Sequence, residues 1–230
     1  MHQSIHHENI FRMYETIEVN PGEMATVLEL CEGPDLSSYM KRTGPLQEKD
    51  AKPIIRQVLQ ALKYIDEFKT GKIIHFDLKP GNILIKDGIV KVADFGLCKE
   101  LKKDAFETDL TSFGTGTYWY LPPEAFQEDP HNPPQITTKL DIWSVGVIYY
   151  ELLFGKRPYG HGIGQKEIMS NKIILKASKV EFPPKPTVSI DARTFISNCL
   201  AYTQEDRFDV HAALDFLNNP QKQNQSQGRD

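Results

Sequence analysis

The apolar residues of this chain fall into short β-type runs near its start and into longer runs of helical period after residue 50. Ile10–Val19 and Ala25–Cys31 predict two strands, with Asn20-Pro21-Gly22 turning the chain between them. Asp50–Phe68 predicts a helix, because Ile54, Ile55, Val58, Leu59, Leu62 and Ile65 recur at helical spacing and Thr70-Gly71 follows as a stop. Pro53 must lie near its first turn or kink it, since proline has no backbone N–H to donate. Ile83–Ile85 and Ile89–Ala93 predict a hairpin about Asp87-Gly88, a dipeptide suited to the positive φ values of a type I′ turn. Leu140–Phe154 is apolar nearly all round, as a helix buried on every side must be. Asp191–Leu200 and Val210–Leu217 read as amphipathic helices. After Asn219-Pro220 a Gln-Lys-Gln-Asn-Gln-Ser-Gln tail has nothing apolar to bury, and residues 220–230 are expected to be disordered. The order of elements is that of an α+β fold.

Composition narrows the function classes. With 40% hydrophobic and 25% charged residues, the 230-residue chain has the balance of a soluble globular protein. A net charge of -4 without a long basic run argues against direct nucleic-acid binding. The longest apolar run, Ile142–Phe154, contains Ser144, Gly146 and Glu151 and is too short to span a bilayer, so no membrane partner is expected. Cys31, Cys98 and Cys199 are far apart and form no C-x-x-C pair, which suits a reducing intracellular compartment, and no signal peptide is expected.

Candidate chemistry concentrates in His75-Phe76-Asp77-Leu78-Lys79-Pro80-Gly81-Asn82 and in Asp94-Phe95-Gly96 beyond the hairpin. Phosphoryl transfer needs a carboxylate facing an acceptor hydroxyl, a cation near the transferred group and oxygen ligands for Mg²⁺. Asp77, Lys79, Asn82 and Asp94 are residues of those types. A lone H-x-D triplet is an ordinary loop; the joint pattern is not. Two other stretches fail their context tests. His6-His7-Glu8 lacks the spacing that sets metal ligands on one face. Gly160–Lys166 follows no strand and lacks the Gly-Lys-Ser/Thr ending of a phosphate loop.

The order H-x-D-x-K-x-x-N…D-F-G resembles the protein-kinase signature. Pro123-Glu124, Asp141-Ile142-Trp143-Ser144-Val145-Gly146 and Arg207 follow in the order of that family. The resemblance implies a kinase-like fold, mostly its helical C-lobe with a remnant of the N-lobe sheet. Residues 1–32 would be the remnant and its hinge, and residues 33–219 the C-lobe. It further implies that Asp77 orients the substrate hydroxyl, that Lys79 meets the γ-phosphate of ATP, and that Asn82 and Asp94 hold Mg²⁺. Lys79 with Thr117 implies serine/threonine specificity. Leu28 would be the gatekeeper, Glu29 and Cys31 the backbone partners of adenine, Leu84 the floor of the purine and Asp35 a ribose contact. His75 and Phe95 would pack in an apolar column with Met13, Gly96 would complete the D-F-G turn, and Glu124 would pair with buried Arg207. Phe76 stands where many kinases have an arginine that pairs with an activation-segment phosphate. Switching through that route is therefore not expected, although Thr108, Thr111, Ser112 and Thr115 lie in the segment.

A closer resemblance rests on His75–Leu84, on Gly116-Thr117-Tyr118-Trp119-Tyr120-Leu121-Pro122-Pro123-Glu124, on Ile174–Pro183 and on Cys199–His211. These stretches are similar to the tousled-like kinases, which also carry an aromatic residue at the Phe76 position. That resemblance implies a nuclear serine/threonine kinase acting on a protein substrate, with a histone chaperone as the partner in chromatin assembly. The long coiled coils through which the family oligomerises have no counterpart here. Only nine residues precede Ile10, and the chain has neither a G-x-G-x-x-G loop nor a V-A-I-K-like strand. As written it is expected to bind ATP poorly, to catalyse weakly or not at all, and to expose Ile10, Phe11 and Val27. A binding or dominant-negative module is the alternative.

Overall fold

The computed structural model describes residues 2–101, 105, 107–110, 116–127, 131 and 133–219. Strands β1 (Met13–Asn20) and β2 (Glu23–Leu28) form an antiparallel ribbon, followed by helices α1 (Leu36–Thr43) and α2 (Glu48–Asp66). The short strand β3 (Ile73–Ile74), the hairpin β4 (Ile83–Lys86) and β5 (Ile89–Val92), and β6 (Lys99–Glu100) come next. Strand β7 (Thr108–Asp109) pairs with β8 (Gln135–Ile136), and β6 pairs back onto β3. The remainder is helical: α3 (Lys139–Phe154), α4 (Gln165–Ser170), α5 (Ile190–Cys199) and α6 (Val210–Asn218). The α+β class expected from the pattern is observed.

The core forms around α3, which α2 and α5 pack against. Trp143, Val145, Val147, Ile148 and Leu152 are fully enclosed, as the all-round apolar pattern requires. Gly146 allows the close approach of α5. A Cβ there would lie 2.8 Å from Cys199 Cβ and 2.9 Å from Leu200 Cγ, inside contact distance. The hairpin turns through Asp87 (φ 53°) and Gly88 (φ 79°), both left-handed as a type I′ turn demands. Pro53 sits within α2, five residues from its start, and the helix continues through it.

Three expectations are corrected. Ile10 and Phe11 are buried, because the 9–11 segment pairs along the edge of β5: Phe11 N donates to Val92 O at 2.8 Å, and Val92 N to Asn9 O at 2.8 Å. The first strand accordingly starts at Met13 rather than Ile10, and the second ends at Leu28 rather than Cys31. Val27 in the ribbon, as expected, is exposed at 42%, and Leu30 just after it is 79% exposed. Residues 36–43, unassigned from the sequence, are helical. Asp35 caps them by accepting from Ser38 N at 2.9 Å, but Leu36 is the one buried residue of α1, so a periodic signal had little to register. The Gly160–Lys166 stretch leads into α4, whose Glu167 carboxylate accepts from Gly164 N at 3.1 Å. Thr111, Ser112, Thr115 and the 220–230 tail lie outside the described residues.

Candidate active site

The β4–β5 register decides where the candidate ligands stand. Ile83 pairs with Val92, and Ala93 N donates to Asn82 O at 2.8 Å. Asn82 and Asp94 therefore flank the open end of one hairpin, opposite its turn. Asp94 is exposed and adopts φ 64°, a left-handed conformation that non-glycine residues rarely occupy. Its Oδ1 accepts from Gly96 N at 3.3 Å. Asn82 is buried and donates through Nδ2 to Asp77 O at 2.9 Å and to Asp77 Oδ2 at 3.2 Å, so its amide oxygen is turned away from Asp77.

Asp77, 7% exposed, is the hub. Lys79 Nζ reaches its Oδ2 at 2.5 Å, and Thr117 Oγ1 donates to its Oδ1 at 2.8 Å. Lys79 Nζ also donates to Thr117 Oγ1 at 3.0 Å. Asp77, Lys79, Asn82 and Thr117, up to 40 residues apart, thus share one hydrogen-bonded cluster.

Beneath the cluster the backbone at 75–76 is clamped from α3. Asp141 Oδ2 accepts from His75 N at 2.7 Å, and Oδ1 from Phe76 N at 3.0 Å. Phe76 adopts φ 72°, a conformation that costs a bulky residue about 1–3 kcal/mol and persists only when its surroundings hold it. Burial pushes the Asp141 carboxyl up to about 7, against the two N–H bonds that pull it down. His75 is fully buried; its Nε2 lies 3.0 Å from Ala93 O and its ring meets Phe95 edge-on, with centroids 4.9 Å apart.

Phe76 shows what an aromatic does at this position. A Cβ built on Gly116 would lie 3.5 Å from the Phe76 ring and 3.4 Å from Leu121, so the ring lies under the chain leading out of the loop. Lys99 Nζ stands 5.4 Å from the ring centroid. Apolar packing occupies the place an ion pair would need. Glu124 and Arg207 form a buried two-pronged pair at 2.7 and 3.0 Å, and Arg207 also donates to the Ala201, Lys139 and Tyr202 carbonyls.

Of the residues suggested for a nucleotide, Glu29, Cys31 and Asp35 lie on the linker after β2, with Leu28 at its start and Leu84 across from it on β4. Leu28 ends β2, Cys31 is half-buried, and Leu84 forms a bridge with Asp35. Gly33 lies against β4, where a Cβ would sit 1.8 Å from Ile85 O. The Glu29 carboxylate meets Lys91 Nζ at 2.9 Å and Arg12 N at 3.1 Å. Burial works to raise its pKa, yet the Lys91 and Arg12 hydrogen bonds outweigh that and hold it below the usual range. Both Asp35 oxygens cap α1, through Ser38 N and Ser38 Oγ, so this carboxylate has a structural duty that the ribose assignment did not foresee.

Sequence reasoning also missed the anchors of the Tyr118–Tyr120 turn. Trp119 Nε1 donates to Gly160 O and Ile163 O, each at 3.0 Å. Tyr120 OH donates to Glu151 at 2.7 Å, and Ser144 Oγ to Tyr120 O at 2.7 Å. The cluster of aromatics in an otherwise polar loop was the available signal. His7 is structural: its Nδ1 accepts from Asn9 N at 3.1 Å and its ring lies 5.1 Å from that of Tyr64. Among the described residues no group of three or more His, Cys, Asp or Glu is arranged to hold a metal, and no helix is long and apolar enough to cross a membrane.

Residues 1–217 match the family model described as the protein kinase domain. The human serine/threonine-protein kinase tousled-like 1 is 47% identical over 218 residues, which covers 92% of this chain and 28% of that protein. TOUSLED of Arabidopsis thaliana is 47% identical over 214 residues (91% of this chain, 31% of its own), and the Caenorhabditis elegans tousled-like 1 kinase is 44% identical over 218 residues (91% of this chain, 22% of its own). The chain spans less than a third of the length of these relatives.

Proposed function

Because the chain belongs to the protein kinase domain family, within its tousled-like serine/threonine branch, we propose that it transfers the γ-phosphoryl group of ATP to serine or threonine hydroxyls of a protein substrate at Asp77. The observation that carries this reading is the Thr117 hydroxyl, which donates to Asp77 Oδ1 at 2.8 Å while Lys79 Nζ bonds both. That is the contact a substrate hydroxyl needs with its base, and it places a cation beside the same oxygens. Asp77 orients the hydroxyl and receives its proton; Lys79 balances charge next to it; Thr117 holds the segment against the carboxylate.

The family uses ATP and typically Mg²⁺, and the donor set here fits a hard cation. The Asn82 amide and Asp94 carboxylate offer oxygen ligands at one hairpin end, the chemistry Mg²⁺ prefers. Bound there, Mg²⁺ supplies positive charge that offsets charge developing on phosphoryl oxygens. Leu28, Glu29, Cys31, Asp35 and Leu84 would line the nucleotide side. His75, Phe95, Gly96, Glu124, Asp141 and Arg207 would keep the frame. The division into an N-lobe remnant (1–32) and a C-lobe (33–219) belongs to the same reading, as do a histone-chaperone substrate and a nuclear location.

The test is phosphate incorporation into a serine peptide with ATP and Mg²⁺, comparing the chain with its Asp77→Asn variant. Loss of a general base predicts a fall of about 10²–10⁴ in rate. Equal rates in both proteins would refute the assignment of Asp77. No transfer by either would favour the binding-module alternative.

A further inference from the structure

Helix α3 stops at Gly155 (φ 66°), and the two residues that follow are Lys156 and Arg157. With His161, Tyr150 and the Glu181–Pro184 stretch they wall a cleft of about 570 Å³. The Arg157 guanidinium lies over the Trp119 ring, 4.2 Å from its centroid. Its Nε is buried without a hydrogen-bond partner, a costly state for a charged donor. Arg157 N donates to His161 Nδ1 at 3.3 Å, which leaves His161 Nε2–H as that ring's donor. Two cations, Lys156 and Arg157, thus line the cleft beside one lining carboxylate, that of Glu181, in a chain whose net charge is negative. The nearby Glu151 carboxylate accepts from the Tyr120 phenol.

The place of this cleft matters as much as its charge. Trp119 lies two residues after Thr117, which bonds Asp77. Two Cα steps span at most ~7.6 Å, so, with the Trp119 side chain and its contact to Arg157 added, a segment extended from a hydroxyl at Asp77 reaches Arg157 within about six residues. We propose that the cleft formed by Lys156, Arg157 and His161 is a specificity subsite for aspartate or glutamate side chains that flank the phosphoacceptor residue in the substrate protein. Arg157 offers planar donors suited to a carboxylate and is already oriented by its stack on Trp119, while Lys156 adds a mobile charge. The proposal rests on the kinase reading for the position of the acceptor, not for the chemistry of the cleft.

The test is direct binding, by fluorescence anisotropy, of a serine peptide with aspartate on both flanks and of its asparagine counterpart. The aspartate peptide is expected to bind at least about tenfold more tightly, with an advantage that shrinks as salt rises. Lys156→Glu should remove that advantage and improve binding of an arginine-flanked peptide. Arg157→Gln should also remove it. Charge-reversal rescue separates recognition from a merely structural role, in which the two cations only complement the C-terminal end of α3. Equal binding of the two peptides, binding of neither, or an equal loss for both in Lys156→Glu would overturn the proposal. Phosphorylation without acidic preference would leave the kinase reading standing and remove the subsite. Acid-dependent binding without phosphorylation would do the reverse.

Discussion

Asp141 joins the core helix to the loop that carries Asp77, and its titration should be measurable. Its carboxylate is fully buried and takes two backbone N–H bonds, from His75 and Phe76. Burial nonetheless lifts its pKa from 3.8 to about 7. A group raised on folding stabilises the folded state fully below its unfolded pKa and loses that contribution as pH climbs through the folded value. Between pH 5 and pH 8 the wild-type chain should therefore lose about 2–3 kcal/mol through this residue, at 1.36 kcal/mol per unit. Asp141→Asn does not titrate, but its amide NH₂ must face one of the two N–H groups, which costs about 1–3 kcal/mol at any pH. The variant should thus be clearly less stable at pH 5 and nearly equal to wild type at pH 8. For a domain of this size the gap in Tm should narrow by roughly 5–10 °C over that range. Thermal unfolding followed by circular dichroism at matched ionic strength tests it, and the wild-type-minus-variant difference removes the opposing contribution of His7, whose pKa burial lowers. A gap that stays constant or widens with pH would show that the two N–H bonds keep the carboxylate ionised, and would refute the argument.

Two further changes probe the frame around the site. Glu124→Ala should cost about 3–5 kcal/mol in urea unfolding, because it strands the buried Arg207 guanidinium; a loss under about 1 kcal/mol would mean that water or the three carbonyls replace the carboxylate. Gly33→Ala should detach the 29–35 linker from β4, since the new Cβ would lie 1.8 Å from Ile85 O. Faster amide exchange at Ile85, whose N–H donates to Pro34 O, would register that release, whereas unchanged protection at Ile85 would contradict it.

How much was legible beforehand differs from element to element. The α2 and α3 helices, the hairpin and its turn were readable because each carries a strong local period or a dipeptide with a backbone demand. Helix α1 was not readable, since it buries a single residue and depends on the Asp35 cap. Ile10 and Phe11 read as exposed in the sequence, because no neighbouring segment offers them an apolar cover. Their burial arises from pairing with β5, some 80 residues along the chain, a contact no local pattern encodes. At the site, the residue types were legible in the order of the motifs. The anchoring of Trp119 on the 160–163 carbonyls, and of Tyr120 on Glu151, was not, because each partner lies more than 30 residues away.

By itself, the sequence determined which chemistry is present: Asp77, Lys79, Asn82 and Asp94, in an order that names a kinase domain, and the helices whose periodicity buries them. Local spacing suffices for that, because hydrophobic period and motif order are properties of neighbouring residues. Only the tertiary structure decided that Thr117 closes on Asp77, that Asp141 clamps a strained Phe76, and that Arg157 stacks on Trp119 beside a cationic cleft. Those contacts depend on where distant segments meet once the α3 core has packed.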